Sequence, residues 1–194
     1  KNKNVVVIGG GDTAMDCVRT AVRQGAQHVT CLYRRDRPNM PGSAREVHNA
    51  EEEGVVFEWL KAPNALYGDE YGHVTSCSVQ PMQLGDPDES GRRAPVPADA
   101  AAYDMECDMV IKALGFEAED LPALFDEPEL TVRNNGTLAV DSRTLMTAMD
   151  GVFAAGDIVR GASLVVWGIR DGRDAAQAMH DYMQDTAQAG VAAE

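Results

Sequence analysis

An unbroken β-branched run followed by three glycines, near the start of the chain, restricts the fold more than any other sequence feature. Residues 5–8 (Val-Val-Val-Ile) hold no polar side chain, which predicts a strand buried on both faces of a parallel sheet. Gly9, Gly10 and Gly11 then lead into a helix whose apolar residues recur at helical spacing and which Gly25 ends. A strand, a glycine turn and a helix in this order begin a parallel α/β fold.

The alternation of strand and helix continues for two more strands. A second strand is predicted at residues 29–33, and a capping box of Ser43 and Glu46 opens a helix that reaches about Glu53. A third strand follows at residues 55–60. This β-α-β-α-β order predicts a Rossmann-like α/β domain with a parallel sheet and right-handed crossovers.

The sequence after residue 60 predicts antiparallel and irregular structure. Turn residues interrupt residues 64–84, which favours a small antiparallel meander, and Gly and Pro punctuate residues 85–102, which we interpret as a loop. Residues 108–114 predict another buried strand, stopped by Gly115. We therefore expect three layers within residues 1–115: helices, a parallel sheet and the meander.

Residues 116–194 are predicted to form a second region. An acidic linker leads to a turn at residues 134–136 (Asn-Asn-Gly) and a small-residue strand at residues 152–155. A long helix is predicted over about residues 163–185, and residues 187–194 are expected to be frayed.

Composition narrows the class of protein. Asp and Glu outnumber Lys and Arg by 31 to 17, and a net charge of −14 argues against nucleic-acid binding. No apolar run reaches the ~18–20 residues of a membrane helix, so no membrane partner is expected. The four cysteines form no CxxC pair and the four histidines are isolated, so neither a metal site nor a catalytic side-chain pair is predicted. Reduced thiols favour a cytoplasmic location.

The first glycine turn has the spacing of a dinucleotide-binding fingerprint. Gly9, Gly11 and Ala14 form a GxGxxA pattern between the predicted strand and helix. The first glycine permits a tight turn, the second lets the backbone approach a pyrophosphate, and the third position keeps the helix close to the sheet. Because unpaired N–H groups at the helix start hold anions, the pattern predicts a dinucleotide site.

The end of the second strand indicates which dinucleotide binds. An NAD site usually carries an acidic residue about 20 residues after the first glycines, which binds the ribose 2′-hydroxyl. Here the strand ends in Arg34 and Arg35, whose guanidinium groups suit a 2′-phosphate and favour NADPH. Arg37 and Arg45 are either auxiliary donors or surface charges, and Asp36 is an alternative partner for one arginine.

A second signature lies at residues 151–157, Gly-Val-Phe-Ala-Ala-Gly-Asp. A small-residue strand that ends in Gly156 and Asp157 before a helix is typical of the flavin domain of two-dinucleotide reductases. There the aspartate contacts the ribityl chain of FAD. Together with the Rossmann unit upstream, this signature favours a flavoprotein reductase.

Several separate blocks resemble one family, the small subunits of NADPH-dependent glutamate synthases and related flavoprotein reductases. The blocks are VVVIGGGDTAMDC, the YRR strand end, MPGSAREVHNAEEEGV, SGRRAPV and GVFAAGDIVRGASLVVWGIRDGRDAA, which cover nearly the whole chain. In that family an NADPH domain is inserted into a split FAD domain. The resemblance implies that residues 1–115 form the NADPH-binding domain and residues 116–194 the C-terminal segment of the FAD domain.

The resemblance also assigns site residues. The pyrophosphate would be held by Gly10, Gly11, Asp12, Thr13 and Ala14, and the 2′-phosphate by Arg34 and Arg35. Ala113 and Gly115 would form the crossover near the nicotinamide. In the flavin segment, Gly156 and Asp157 would reach the ribityl chain. A helix beginning near Ser163, with Trp167 in its first turn, would point at the flavin ring, and core packing is the alternative role of Trp167.

The function implied by the resemblance is electron entry. Hydride would pass from NADPH to FAD, and electrons would continue through iron–sulfur clusters to the large (alpha) subunit, which makes glutamate. The chain lacks the family's FAD glycine fingerprint and cysteine-rich region, and its first strand begins only four residues after Lys1. We therefore expect a C-terminal segment of a longer protein, with clusters bound only by a further N-terminal region or by a partner.

Other functions remain open at this point. A related electron-input flavoprotein, of the dihydropyrimidine dehydrogenase or ferredoxin:NADP transhydrogenase kind, shares these motifs. A non-catalytic NADPH-binding module does as well. A self-contained dehydrogenase is disfavoured, because no Tyr-x-x-x-Lys motif or His–acid pair is visible.

Overall fold

The computed structural model describes residues 1–88, 91 and 93–192, with side chains to residue 187. The chain divides into two compact units, Lys1–Gly115 and Phe116–Glu194. The first unit contains, in chain order, β1 (Asn4–Ile8), α1 (Asp12–Arg23), β2 (His28–Tyr33), α2 (Ala44–Glu52), β3 (Val56–Trp59), β4 (Lys61–Gly68), β5 (Val74–Pro87), β6 (Arg93–Pro97), β7 (Tyr103–Glu106) and β8 (Met109–Lys112).

Four parallel strands form the central sheet of the first unit, in the order β3-β2-β1-β8. β1 is a central strand with a neighbour on each side, which is why its residues are apolar on both faces. The predicted β-α-β-α-β order and the parallel sheet are confirmed.

The two faces of β1 lie in two different cores. Val5 and Val7 pack with residues of α1 and α2, whereas Val6 and Ile8 pack with residues of β5 and Cys107. The parallel sheet is therefore the middle of three layers, as predicted. Each fully buried side chain of this kind contributes roughly 1.5–3 kcal/mol through removal of its apolar surface from water.

Charged side chains join α1 to α2 above this core. The Arg19 guanidinium contacts Glu46 and lies 2.7 Å from Oε1 of Glu53. Ser43 stands at the N-cap of α2, as predicted, but its side chain makes no cap hydrogen bond. The predicted capping box is therefore incomplete, because Glu46 turns to Arg19 on the neighbouring helix.

The antiparallel layer is larger than predicted. β5 pairs with β4, with β6 and with β7, and its 14 residues reach Pro87. The interpretation of residues 85–102 as a loop is wrong for Gly85–Pro87 and for β6, while Ser90 and Arg92 lie outside the described residues. β6 tolerates its two prolines because it pairs with β5 on one side only among the described strands.

The last strand of the parallel sheet is more exposed than predicted. β8 spans four residues rather than residues 108–114, and Met109 is 47% exposed. Because β8 pairs only with β1 within the described part of the chain, it is an edge strand with no neighbouring strand on its other side.

Among its described residues, the second unit contains the helices α3 (Leu121–Phe125), α4 (Asp157–Arg160) and α5 (Val165–Ala192). The predicted turn at residues 134–136 is confirmed, since Arg133 N donates to Thr137 O at 2.8 Å and Gly136 has a φ of 81°. The predicted strand at residues 152–155 is wrong. Phe153 forms a single bridge with Met146, and positive-φ glycines at positions 151 and 156 bound the segment.

The C-terminal helix is longer than predicted. α5 begins two residues after Ser163 and continues to Ala192. The expectation of fraying is therefore wrong for residues 187–192, and residues 193 and 194 lie outside the described part.

Candidate functional site

Gly9 and Gly10 stand where no side chain fits. A Cβ on Gly9 would lie 2.1 Å from the carbonyl oxygen of Ala113, and Gly9 has a φ of 146°. A Cβ on Gly10 would lie 2.3 Å from the ring of Tyr33. The turn therefore runs in close contact with the ends of β2 and β8, which requires glycine.

Gly11 differs because it faces open space. A Cβ on Gly11 would meet no heavy atom within 4 Å, and its φ of −91° suits any residue. Gly11 is the N-cap of α1, and its carbonyl accepts from the N–H groups of Ala14 and Met15. The N–H groups of the first turn have no intrahelical acceptor, so the open side of Gly11 is a cradle for an anion.

A segment just before α2 forms a wall of this cradle. Gly42 N donates to Gly10 O at 2.8 Å, and a Cβ on Gly42 would lie 3.0 Å from the same oxygen. Ser43 N donates to the Asp12 carboxylate at 3.0 Å. Sequence reasoning did not assign Gly42 to the site, although a Pro-Gly-Ser turn directly before a helix was a signal for it.

Arg34 and Arg35 follow β2 beside the cradle. Leu32, two residues before Arg34, pairs with Ile8 and accepts from Gly9 N at 3.1 Å. Arg34 is exposed and makes no hydrogen bond or ion pair with the described residues. The structure thus brings the predicted arginines to the strand end next to the glycine turn.

Arg35 is half-buried and only partly satisfied. Its Nη2 donates to Oδ1 of Asn39 at 2.9 Å. Its Nε is buried and has no hydrogen-bond partner among the described residues. Its Nη1 makes no hydrogen bond with the described residues, so this terminal nitrogen could donate to an acceptor such as a phosphate oxygen.

The other polar residues of the segment are engaged within the protein. Asp36 accepts a hydrogen bond from the Asn39 amide, and neither Arg37 nor Arg45 is its partner. The Arg37 guanidinium forms two hydrogen bonds with Glu51, of 2.6 and 2.8 Å, and is not available as an auxiliary donor. Arg45 is exposed and unpaired with respect to the described residues.

The predicted crossover residues lie at the other side of the glycine turn. Ala113 N donates to Ile8 O at 2.8 Å, which continues the pairing of β1 and β8 for one more residue. Ala113 is buried against Gly9, whereas Gly115 is exposed with a φ of 97°. The ends of β1, β2 and β8 thus meet at one edge of the parallel sheet, where ligands bind in open α/β folds.

In the second unit, Gly156 and Asp157 begin α4. Gly156 has a φ of 77°, and the Asp157 side chain is exposed at the first helical position. Arg160 donates two hydrogen bonds to Asp171 on α5, which lower the pKa of that carboxyl. This ion pair holds the short helix against the long one.

Ser163 and Trp167 lie at the start of α5. Ser163 is exposed and precedes the helix, whereas Trp167 is in its first turn. Trp167 is 39% exposed, and Cζ of Arg160 lies 4.8 Å from the centroid of its ring. Trp167 is thus covered in part by arginine side chains of its own unit, and its role at a flavin stays a prediction.

The cysteines are arranged as buried thiols. Cys31 lies beneath the glycine turn, where its Sγ donates to Gly9 O at 3.4 Å, and burial raises its pKa to about 12. Burial also raises the pKa values of Cys77 and Cys107. Because the thiolate is the reactive form, burial and a raised pKa disfavour reaction of these three thiols in the folded protein.

No group of three or more His, Cys, Asp and Glu side chains in the described residues is arranged to hold a metal ion. The helices in the described ranges are too short or too polar to cross a membrane.

The glycine turn, the parallel sheet and the antiparallel layer define a Rossmann-like α/β protein. The chain belongs to the pyridine nucleotide-disulphide oxidoreductase family, which matches residues 1–180.

Two relatives agree with the motif blocks. The chain is 63% identical, over 98% of its length, to the glutamate synthase (NADPH) small chain of Azospirillum brasilense. It is 60% identical, over 95% of its length, to the putative glutamate synthase (NADPH) small chain of Cereibacter sphaeroides. The resemblance to glutamate synthase small subunits is thus confirmed. The chain spans only 39% and 44% of the lengths of these two relatives.

A solved structure supports the fold. The thioredoxin reductase of Lactococcus lactis matches with a TM-score of 0.75 and 21% identity, over 95% of this chain and 54% of that one. This likeness agrees with the predicted Rossmann-like α/β fold.

Proposed function

We propose that the first unit binds NADPH, with the pyrophosphate at the open side of Gly11 and the 2′-phosphate at Arg34 and Arg35. The observation that best supports this proposal is the position of the glycine turn relative to the arginine pair. An open glycine cradle and an arginine pair lie at the ends of the neighbouring strands β1 and β2. In Rossmann folds the pyrophosphate lies at the glycine turn after the first strand and the adenosine ribose beside the end of the next strand.

Each residue of the cradle has a separate task in this proposal. The N–H groups of Gly11, Asp12 and Thr13 donate to the pyrophosphate at the positive end of α1. Ala14, which is fully buried, keeps α1 close to the sheet. Gly9 and Gly10 let the turn pass against Ala113 and Tyr33, so that these donors point outwards.

The second unit is proposed to contribute to a flavin site, as the C-terminal segment of an FAD domain. Asp157 is exposed at the start of α4 after the positive-φ Gly156, which suits a hydrogen bond to the ribityl chain. Ser163 and Trp167 would face the flavin from the start of α5, and Ala113 and Gly115 would lie near the nicotinamide. When bound, NADPH supplies a hydride and FAD accepts it, so the protein's part is to hold and orient them.

The assembly is a further part of the proposal. The names of the two relatives favour electron entry into a glutamate synthase, with its large (alpha) subunit as partner. Iron–sulfur clusters would then be bound by that partner or by a further region of the protein. The four free cysteines fit a reducing compartment, the cytoplasm.

Calorimetric titration with NADPH and NADH tests the 2′-phosphate assignment. Arg34→Ala with Arg35→Ala should weaken NADPH binding by roughly 2–4 kcal/mol, because two charge-assisted contacts are lost. NADH binding should change little. Arg23→Ala, at the opposite end of α1, controls for loss of a positive charge on the same unit. Equal losses for both nucleotides would refute the assignment.

A further inference from the structure

The side-chain amide of Asn39 lies between the side chains of Arg35 and Asp36, two charged residues that follow β2. Its Oδ1 accepts a hydrogen bond from Nη2 of Arg35 at 2.9 Å, and its Nδ2 donates to Oδ1 of Asp36. Its backbone carbonyl accepts from the hydroxyl of Tyr33 at 2.9 Å. One short amide therefore touches a cation and an anion at once, and the backbone behind it is anchored independently.

This arrangement prevents a pairing that simple electrostatics favours. Arg35 and Asp36 both lie within hydrogen-bonding distance of the same amide group, and a guanidinium and a carboxylate this close attract each other strongly. No ion pair joins them among the described residues, and each side chain is instead hydrogen-bonded to one end of the neutral amide. The Asn39 amide thus replaces the salt bridge.

The hydrogen bond from Arg35 to Asn39 leaves part of the guanidinium group available for a ligand. Asn39 occupies Nη2 of the guanidinium, while Nη1 makes no hydrogen bond with the described residues. A salt bridge with Asp36 would compete for these donors and would also place a carboxylate beside any bound phosphate. A neutral amide leaves the positive charge of Arg35 uncompensated.

We infer that Asn39 is a specificity-determining positioning residue, which keeps Asp36 away from Arg35 and so preserves the preference for a nucleotide with a 2′-phosphate. This inference rests on the proposed function, because it requires Arg35 to bind that phosphate. Asn39 itself acts through Arg35 and Asp36 and needs no contact with the nucleotide.

The test uses 2′,5′-ADP and 5′-AMP as probes, which differ in the 2′-phosphate, with dissociation constants from calorimetry. Asn39→Ala should weaken 2′,5′-ADP binding by about tenfold and change 5′-AMP binding by less than about twofold. Removing the freed carboxylate as well, in Asp36→Ala with Asn39→Ala, should restore most of the lost preference. That recovery is not expected if Asn39 merely supports the fold.

Two further variants separate the possible failures. Tyr33→Phe removes the anchoring hydrogen bond but keeps the amide, so the ratio of the two constants should stay at the wild-type value. One outcome is that Arg35→Ala loses the preference for 2′,5′-ADP but Asn39→Ala keeps it. Another is that Asn39→Ala lowers the affinities for both probes equally. In either case the role of Asn39 is wrong and the proposed NADPH site stands. If the wild-type chain shows no preference, or Arg35→Ala retains it, the proposed function and this inference both fail.

Discussion

At the scale of single residues, the three glycines of the first turn are needed for different reasons, and one substitution separates folding from binding. Gly11→Ala adds a methyl group that meets no protein atom within 4 Å. It should change stability by less than about 1 kcal/mol, because the lost freedom of the unfolded chain is offset by Ala being a poorer N-cap residue than Gly. NADPH binding should weaken roughly tenfold or more, since the methyl group fills the approach of the pyrophosphate. Calorimetry and thermal unfolding measure the two effects.

Gly10→Ala is the matched control for this prediction. Its methyl group would lie 2.3 Å from the Tyr33 ring, so this variant should be destabilised as well as impaired in binding. A Gly11→Ala protein that binds NADPH as tightly as wild type would place the pyrophosphate elsewhere.

Residue spacing predicted the glycine turn and the arginine pair, because the residues of each motif lie close together in the sequence. The glycine fingerprint and the arginine pair are each short runs, and the proximity of the two runs follows from parallel pairing of β1 and β2. The contacts of Gly42 and Asn39 depend on how the segment after β2 folds back, and no spacing rule encodes that. The ligands of these residues remain predictions.

At the scale of elements, the ion pairs between α1 and α2 predict a pH dependence of stability. Hydrogen bonds from Arg19, and then from Arg23, hold the pKa of Glu53 below its usual value near 4.5. A carboxyl with a lowered folded-state pKa stabilises the fold above its unfolded pKa, and this contribution is lost as the pH falls through the folded value. Glu53→Gln should therefore be less stable than wild type at pH 7, with the difference shrinking below about pH 4.5 in urea unfolding.

Glu52 supplies the comparison for Glu53 on the same helix. Its side chain is 67% exposed, and its ion-pair contact is His48 at 3.4 Å. Glu52→Gln should thus change stability little at either pH. A pH-independent deficit in Glu53→Gln would mean that packing, and not the charge of Glu53, joins the helices.

The elements themselves divide into those with a strong local signal and those without one. The buried strands and the amphipathic helices of the first 60 residues follow from hydrophobic period and glycine stops, and they are confirmed. β6 was missed because Pro95 and Pro97 resemble loop composition, although an edge strand accepts proline. Residues 152–155 have strand composition, yet only Phe153 finds a bridge partner there.

At the scale of the whole molecule, the sequence predicted the fold of the unit that buries its own apolar residues. The three layers of the first unit follow from β1 being apolar on both faces. The second unit is different, because apolar residues at the start of α5, such as Val165 and Ile169, are exposed within this chain. Periodicity identifies an apolar helix face but not what covers it.

The distribution of cysteines between the two units gives the last prediction. All four cysteines lie in the first unit, and three of them, Cys31, Cys77 and Cys107, are buried thiols with raised pKa values. A thiol reagent at about pH 8 should modify the half-buried Cys17 first and the three buried thiols only as that unit opens, because the attacking species is an accessible thiolate. Mass spectrometry over a series of urea concentrations counts the modified thiols.

Cys17→Ser should abolish the rapid phase and leave the slow one unchanged. The slow phase then reports the unfolding of the first unit alone, since the second unit has no cysteine. Rapid modification of two or more thiols in native buffer would contradict the burial of the sheet's two cores. Addition of NADPH should slow the slow phase if the nucleotide binds the folded first unit, because a ligand of the native state lowers the open population. Labelling therefore links the packing beneath the glycine turn to the binding above it.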